Sequence, residues 1–243
     1  MLKEFRADLH IHTCLSPCGS LKMSPANIVH QASNKNIDII GICDHNSAEN
    51  VPALKEAAQK SRIAVLPGLE VTSREEVHLL ALFDSISSAF QLQEIVFNHL
   101  EGHNDPDTFG MQVVVNAEGE VLGFNPRLLI GASSLSVEDL IVHIHSLEGL
   151  VIASHVDRES FSLPGQLGFI PPDMDLDALE ISPDMTYQEA VEKYPSQFPL
   201  VCFSDAHFLE DIGRTHTIFR MESGTIPEIS KAIQKKEGRE IVN

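Results

Sequence analysis

His10 and His12 stand two residues apart in Asp8-Leu9-His10-Ile11-His12-Thr13, where polar and apolar residues alternate as in a strand with one buried face. In that conformation Asp8, His10 and His12 share a face, Leu9 and Ile11 take the other, and two imidazoles project toward one point. Neutral imidazole ligates zinc, manganese and iron, so the pair is a candidate for holding a divalent cation. A second H-x-H, His143-Ile144-His145, is an internal control. There Val137, Leu140, Ile141, Ile144 and Leu147 recur at helical spacing behind a Ser136-x-x-Asp139 capping box, and residues two apart on a helix diverge. His143 and His145 are therefore read as solvated or boundary residues.

The elements around the first pair repeat one pattern. Ile37 to Cys43 is a nearly continuous apolar strand ending in Asp44-His45, and Ile63 to Leu66 leads into Pro67-Gly68-Leu69-Glu70-Val71. Val77 to Phe83 carries His78, Gly149 to Ala153 ends in Ser154-His155, and Leu200 to Phe203 runs into Ser204-Asp205-Ala206-His207. Amphipathic segments near residues 25–36, 51–61, 88–100 and 136–147 separate these runs. A last helix is expected after Thr225, where Thr225 and Glu228 have capping-box spacing. Parallel β/α folds place active sites at the carboxyl ends of their strands. His10, His12, His45, Glu70, His78, His155, Asp205 and His207 would then meet at one edge. The rhythm breaks at residues 112–124, which read as a β-hairpin. Residues 101–134 are taken as an insertion in one domain spanning 1–243, because they are too few for a core of their own.

Composition narrows the functions. The chain has 35 acidic residues against 17 Lys and Arg, a net charge of −18, which argues against an extended nucleic-acid groove. It has no Trp and few aromatics to stack on bases. No apolar run is long enough for a membrane span, and Cys14, Cys18, Cys43 and Cys202 do not resemble a secreted disulfide framework. A cytoplasmic protein with no membrane partner and no extended nucleic acid is expected, and a small anionic substrate stays open.

Taken together, Asp8-Leu9-His10-Ile11-His12, Asp44-His45, Ser154-His155 and Ser204-Asp205-Ala206-His207, with Glu70 and His78 in order between the second and third, resemble the PHP (polymerase and histidinol phosphatase) superfamily. The resemblance covers essentially the whole chain. It implies an α/β fold, a distorted seven-stranded (β/α) TIM-like barrel, holding two to three divalent ions of zinc, iron or manganese. It further implies one metal on His10, His12, Glu70 and Asp205, and a second on Glu70, His78 and His155. A third would take His45, His207 and a residue from the loop after His12. Many relatives have Asp after a Ser in that loop; here it reads Ser16-Pro17-Cys18. Cys18 either completes the third set as a thiolate or packs as a small loop residue.

Such a constellation suits hydrolysis of a small phosphomonoester (a nucleotide, sugar or amino-alcohol phosphate) by a metal-bridging hydroxide. Arg158 and Arg214 are candidates for orienting phosphate, and Asp44 or His207 for protonating the leaving oxygen. Three alternatives stay open: an exonuclease acting on short nucleic-acid ends, an amidohydrolase-type enzyme, which also begins with H-x-H, and a non-catalytic metal-stabilised scaffold.

Overall fold

The computed structural model describes residues 1–195 and 197–242. In the first half, apolar runs form strands and the segments between them form helices: β1 (Lys3–Ile11), α1 (Pro25–Asn34), β2 (Ile39–Ile42), α2 (Val51–Ala58) and β3 (Ala64–Thr72). A tight polar turn leads to β4 (His78–Leu82) and α3 (Ile86–Phe97). Residues 101–134 carry a one-turn α4 (Pro106–Phe109) and the two-stranded ribbon β5 (Val113–Val115) and β6 (Val121–Phe124). The rest is α5 (Val137–Ser146), β7 (Leu150–Ala153), α6 (Leu163–Leu167), β8 (Ala178–Ile181), α7 (Tyr187–Lys193), β9 (Leu200–Cys202), β10 (Thr217–Met221), α8 (Ile226–Ile233) and β11 (Glu240–Val242).

Helix starts follow capping chemistry where the cap residues are free. Ser136 and Asp139 form the expected reciprocal box, and Thr186 and Glu189 form another. The box expected at Thr225 is absent. Glu228 is instead held by Arg239, at 3.1 Å to each oxygen, and by the Glu222 N–H at 2.8 Å.

The main sheet has nine strands in the order β11-β10-β1-β2-β3-β4-β7-β8-β9 and is curled and mixed; the expected seven-stranded barrel is corrected on this point. The reason lies in β1. Its first half, Lys3 to Ala7, is paired antiparallel by β10, so the edge a closed barrel would offer to β9 is already taken. Only its end remains open. There Ile11 forms an isolated parallel bridge with Ala206, the His12 N–H donating to the Ala206 carbonyl at 3.0 Å. A second departure concerns direction: β4 runs antiparallel to both β3 and β7. His78 therefore begins a strand, yet lies opposite Thr72 at the carboxyl end of β3 and beside the other candidates.

Apolar layers cover both faces of the sheet. Ile28, Leu54, Leu92 and Ile144 from α1, α2, α3 and α5 pack into one core, and Ile226, Ile229 and Ile233 of α8 close the other. Each fully buried aliphatic side chain stabilises by about 1.5–3 kcal/mol, which offsets the cost of burying a cluster of ionisable groups. Close packing also explains Gly68 in β3. A Cβ there would lie 2.8 Å from the Ala81 carbonyl oxygen and 3.0 Å from Cys43 Sγ, so a side chain would push apart the strands that carry Glu70.

Candidate metal centre

All eight residues expected at one edge meet there. The hub is Glu70, buried on β3. Its Oε1 lies 3.4 Å from His10 Nε2, 3.0 Å from His78 Nδ1 and 3.3 Å from His155 Nε2; its Oε2 lies 3.5 Å from His12 Nε2 and 3.1 Å from His45 Nδ1. Asp205 Oδ1 faces the same space, 3.2 Å from His10 Nε2, 3.3 Å from His12 Nε2 and 3.6 Å from His207 Nδ1. His207 stacks on His12 with ring centroids 4.1 Å apart. Ligand atoms gather into three groups: His10, His12 and Asp205; His12, His45 and His207; and His45, Glu70 and His78.

The hydrogen bonds behind the rings fix which nitrogen is bare. His10 Nδ1 sits 3.0 Å from both oxygens of Glu180, a carboxylate to which it can only donate. His12 Nδ1 sits 2.9 Å from Ser16 Oγ, whose own hydroxyl proton is committed to Asp44 at 2.6 Å, so His12 also donates. Both Nε2 atoms then present lone pairs. They lie 3.1 Å from each other and 3.2–3.5 Å from carboxylate oxygens, an arrangement of acceptors that repel unless a cation sits among them. Glu70 Oε1, Asp205 Oδ1, His45 Nδ1 and His78 Nδ1 are likewise buried without a hydrogen-bond partner. A tetrahedral ion bound at about 2.0–2.1 Å sets its ligand atoms about 3.4 Å apart, in line with these separations. The residues fit a divalent-metal centre.

The electrostatics agree. Burial pushes the His10 imidazole down, but Glu180, Asp205 and Glu70 outweigh it and hold His10 well above its usual range, the mark of a site that attracts positive charge. His12 is held well below its usual range by burial and the neighbouring His207. Burial raises Glu70 and Asp205, yet the surrounding histidines, His78 and His10 for Glu70 and His10 and His12 for Asp205, leave both carboxyls far below the usual range.

Around the cluster the remaining candidates divide. Arg158 lines the cleft above it and donates to Asp205 Oδ2 at 2.6 Å, leaving Oδ1 for the centre. Arg214 stays on the rim of an adjoining pocket, 3.3 Å from Asp184, and does not reach the cluster. Asp44 does not face the cleft: both oxygens are occupied by Thr13 N–H, Thr13 Oγ1–H and Ser16 Oγ–H at 2.6–2.7 Å, so it holds the loop behind His12. Cys18 lines the mouth beside His45 and His207. Burial raises its thiol, but the neighbouring His207 and His45 imidazoles bring it down to about 6. Cys14 is buried under the β5–β6 ribbon with Val113 and Val115, and burial pushes its thiol up to about 12.

Two acids gain roles that the motifs did not assign. Glu180, buried on β8, orients His10 and accepts the His155 N–H at 3.2 Å. The only local signal was a single carboxylate inside the apolar run Ala178-Leu179-Glu180-Ile181. Asp8, on the His10 face of β1, accepts Ser204 N–H at 3.0 Å and Gly213 N–H at 2.8 Å, so it pins the loop carrying Asp205 and His207. Two of these positions, His155 (φ 29°) and Asp205 (φ 49°), and Asn46 (φ 52°) beside His45, adopt positive φ, uncommon outside glycine though His, Asp and Asn tolerate it best.

Residues 8–158 match the PHP domain family model and residues 196–237 the PHP-associated one; the chain belongs to the PHP family. Its fold is also that of solved structures. Over 98% of its length it superimposes on the lesion-specific endonuclease PfuEndoQ from Pyrococcus furiosus, with a TM-score of 0.71, 21% identity and coverage of 58% of that chain. It is 32% identical over 80 residues to the 5'-3' exoribonuclease Rnm of Salmonella typhimurium, which is 31% of this chain and 26% of that protein. It is 24% identical over a 260-residue alignment to the uncharacterized protein YqxK of Bacillus subtilis, 99% of this chain and 65% of that one. The chain thus spans from about a quarter to under two thirds of these relatives. Among the described residues, no helix is long and apolar enough to cross a membrane.

Proposed function

We propose that this chain is a metal-dependent phosphoesterase acting on a phosphoryl group presented at the mouth of the cleft. The observation that carries the reading is the convergence of His10 Nε2, His12 Nε2, Glu70 and Asp205 Oδ1, with tautomers set from behind, beneath a guanidinium. When bound, divalent cations would polarise the phosphoryl oxygens and make water nucleophilic at neutral pH. His10, His12, Glu70, His78, His155 and Asp205 would hold them, and His45, His207 and Cys18 form a further set at the mouth. Arg158, anchored by Asp205, is positioned to bind and orient a phosphoryl oxygen. Of the two groups considered for protonating the leaving oxygen, His207 faces the cleft and Asp44 does not. Residues 1–243 would act as one unit, with 101–134 as an insertion.

A cleft of about 400 Å³ suits a small phosphorylated molecule or the end of a longer one. The nuclease reading draws support from the named activities of the Pyrococcus and Salmonella relatives. The test is phosphate or nucleotide release from sugar phosphates, nucleotides and short oligonucleotides, on protein purified without chelator and assayed for metal content. Release that depends on bound metal is expected. Full activity in metal-free protein, or no release from any substrate, would overturn the proposal.

A further inference from the structure

Two phenylalanines stand at the rim of this centre with their rings in solvent. Phe161 is 41% exposed and Phe208 49% exposed, in a chain that buries Phe83, Phe203 and Phe219 completely. Each is built onto a candidate ligand. Phe161 stacks one ring face on His78, with centroids 4.6 Å apart and planes 20° from parallel, and its carbonyl accepts the His78 N–H at 2.8 Å. Phe208 directly follows His207. The Phe161 backbone is left-handed, φ 59°, a conformation uncommon for a bulky side chain. It is held by a short stiff loop in which the Arg158 N–H donates to the His155 carbonyl and Ser162 Oγ to the Arg158 carbonyl. Phe161, with one ring face on His78, lines the cleft.

Each ring lines one of two adjoining pockets, which share one set of lining residues and are read together as a groove. The cleft beside Phe161, about 400 Å³, and the pocket beside Phe208, about 330 Å³, share Cys18, Arg158, Asp205 and His207. Arg158 lies in the shared part and Arg214 at the Phe208 end. Glu159, Asp184 and Asp211 line the remainder, so the groove offers cations for very few phosphates. An aromatic face, a phosphate-binding guanidinium over a metal centre and a second aromatic face match successive parts of a nucleotide chain. Bases stack on such rings only when unpaired.

We infer that the groove holds a short single-stranded nucleic acid, with the base on one side of the scissile phosphate stacked on Phe161 and the base on the other side on Phe208. The inference rests on the phosphoesterase reading and names its substrate class. The net charge of −18 opposes contacts to further phosphates, so the strand held is short.

Binding and turnover test it separately. A phosphorothioate dinucleotide carrying 2-aminopurine is titrated into the metal-loaded protein, and quenching is read without interference, since the chain has no Trp. Wild type is expected to quench. Phe161→Leu and Phe208→Leu, which keep apolar bulk, should each weaken binding by roughly 5- to 150-fold, the range for one base–aromatic stack. Phe161→Tyr and Phe208→Tyr should restore it. A base-free analogue with tetrahydrofuran in place of both bases should bind alike in all five proteins. Leucine variants that bind as wild type, or that lose the base-free analogue equally, would overturn the inference, as would tighter binding of duplex than of single strand. Quenching without release from any phosphoester would instead overturn the phosphoesterase reading and leave the stacking groove standing. Release that is the same for sugar phosphates and dinucleotides and unaffected by the leucine changes would do the reverse.

Discussion

Glu180→Gln asks whether a carboxylate that is not itself an expected ligand sets metal affinity by holding His10. The glutamate oxygens both lie 3.0 Å from His10 Nδ1, and Oε2 also accepts the His155 N–H at 3.2 Å. Glutamine keeps the volume and one acceptor, so His10 retains its tautomer. Its amide nitrogen then faces a donor. A charge-assisted hydrogen bond of about 1.5–3 kcal/mol becomes a neutral one of about 0.5–1.5, a loss near 1–2 kcal/mol. That corresponds to roughly 5- to 30-fold in metal Kd, overlapping the lower part of the roughly 10- to 100-fold range known for such outer partners of metal-bound histidine. Glu180→Ala, which leaves both donors bare, should fall at the upper end. Zinc competition against a chromophoric chelator measures Kd directly. Thermal unfolding in fixed excess metal should show the metal-induced stabilisation reduced by about 1.4 kcal/mol per tenfold loss. A Glu180→Gln protein with wild-type Kd would refute the reasoning, because the carboxylate would then only fill β8. Complete loss of metal would refute it too, since that is the outcome for a ligand.

Glu70→Gln and Asp205→Asn should abolish most metal-dependent turnover and lower metal stoichiometry with far-UV circular dichroism unchanged, since each removes the anion facing several imidazoles. Arg158→Ala should mainly raise KM, read from initial rates across substrate concentration. Cys18→Asp should shift the preferred metal from zinc or iron toward manganese or magnesium, and cobalt-loaded wild type should show a thiolate charge-transfer band that Cys18→Ala lacks; identical spectra would make Cys18 a packing residue. Away from the centre, His145 is raised by its hydrogen bond to Asp177, 3.0 Å away, and by Asp175. Its stabilisation, about 0.2–1 kcal/mol for a partly exposed pair, is therefore present below pH 6.5 and lost as pH rises through the raised value. Urea unfolding of wild type and His145→Gln at pH 5.5 and pH 8.5 should show the difference only at the lower pH.

The motifs of the centre were legible because ligand chemistry leaves local marks. His10 and His12 alternate on one strand, and His45, His155 and Asp205 follow apolar runs, so composition and period alone bring them to strand ends. The same local logic set His143 and His145 aside, and α5 points them outward from its apolar face. What depended on pairing was not legible. The turn from Thr72 to His78 is too short for a parallel crossover and so admits only a β4 that runs backwards, but nothing local specifies that β10 occupies the β1 edge and opens the expected barrel. Register decided the roles of the acids: Asp44, next to a ligand, turned inward to Thr13 and Ser16, while Glu180, in no motif, came up behind His10 from 170 residues away. Composition also could not locate the aromatics. A low total says nothing of position: Phe161 is set at the rim by a left-handed turn and Phe208 by directly following His207. Ligand identity is a property of side-chain chemistry and short periodicity, which the sequence carries residue by residue. Strand order, the partner behind each imidazole and the placing of exposed rings are long-range pairings, and only the folded chain decides them.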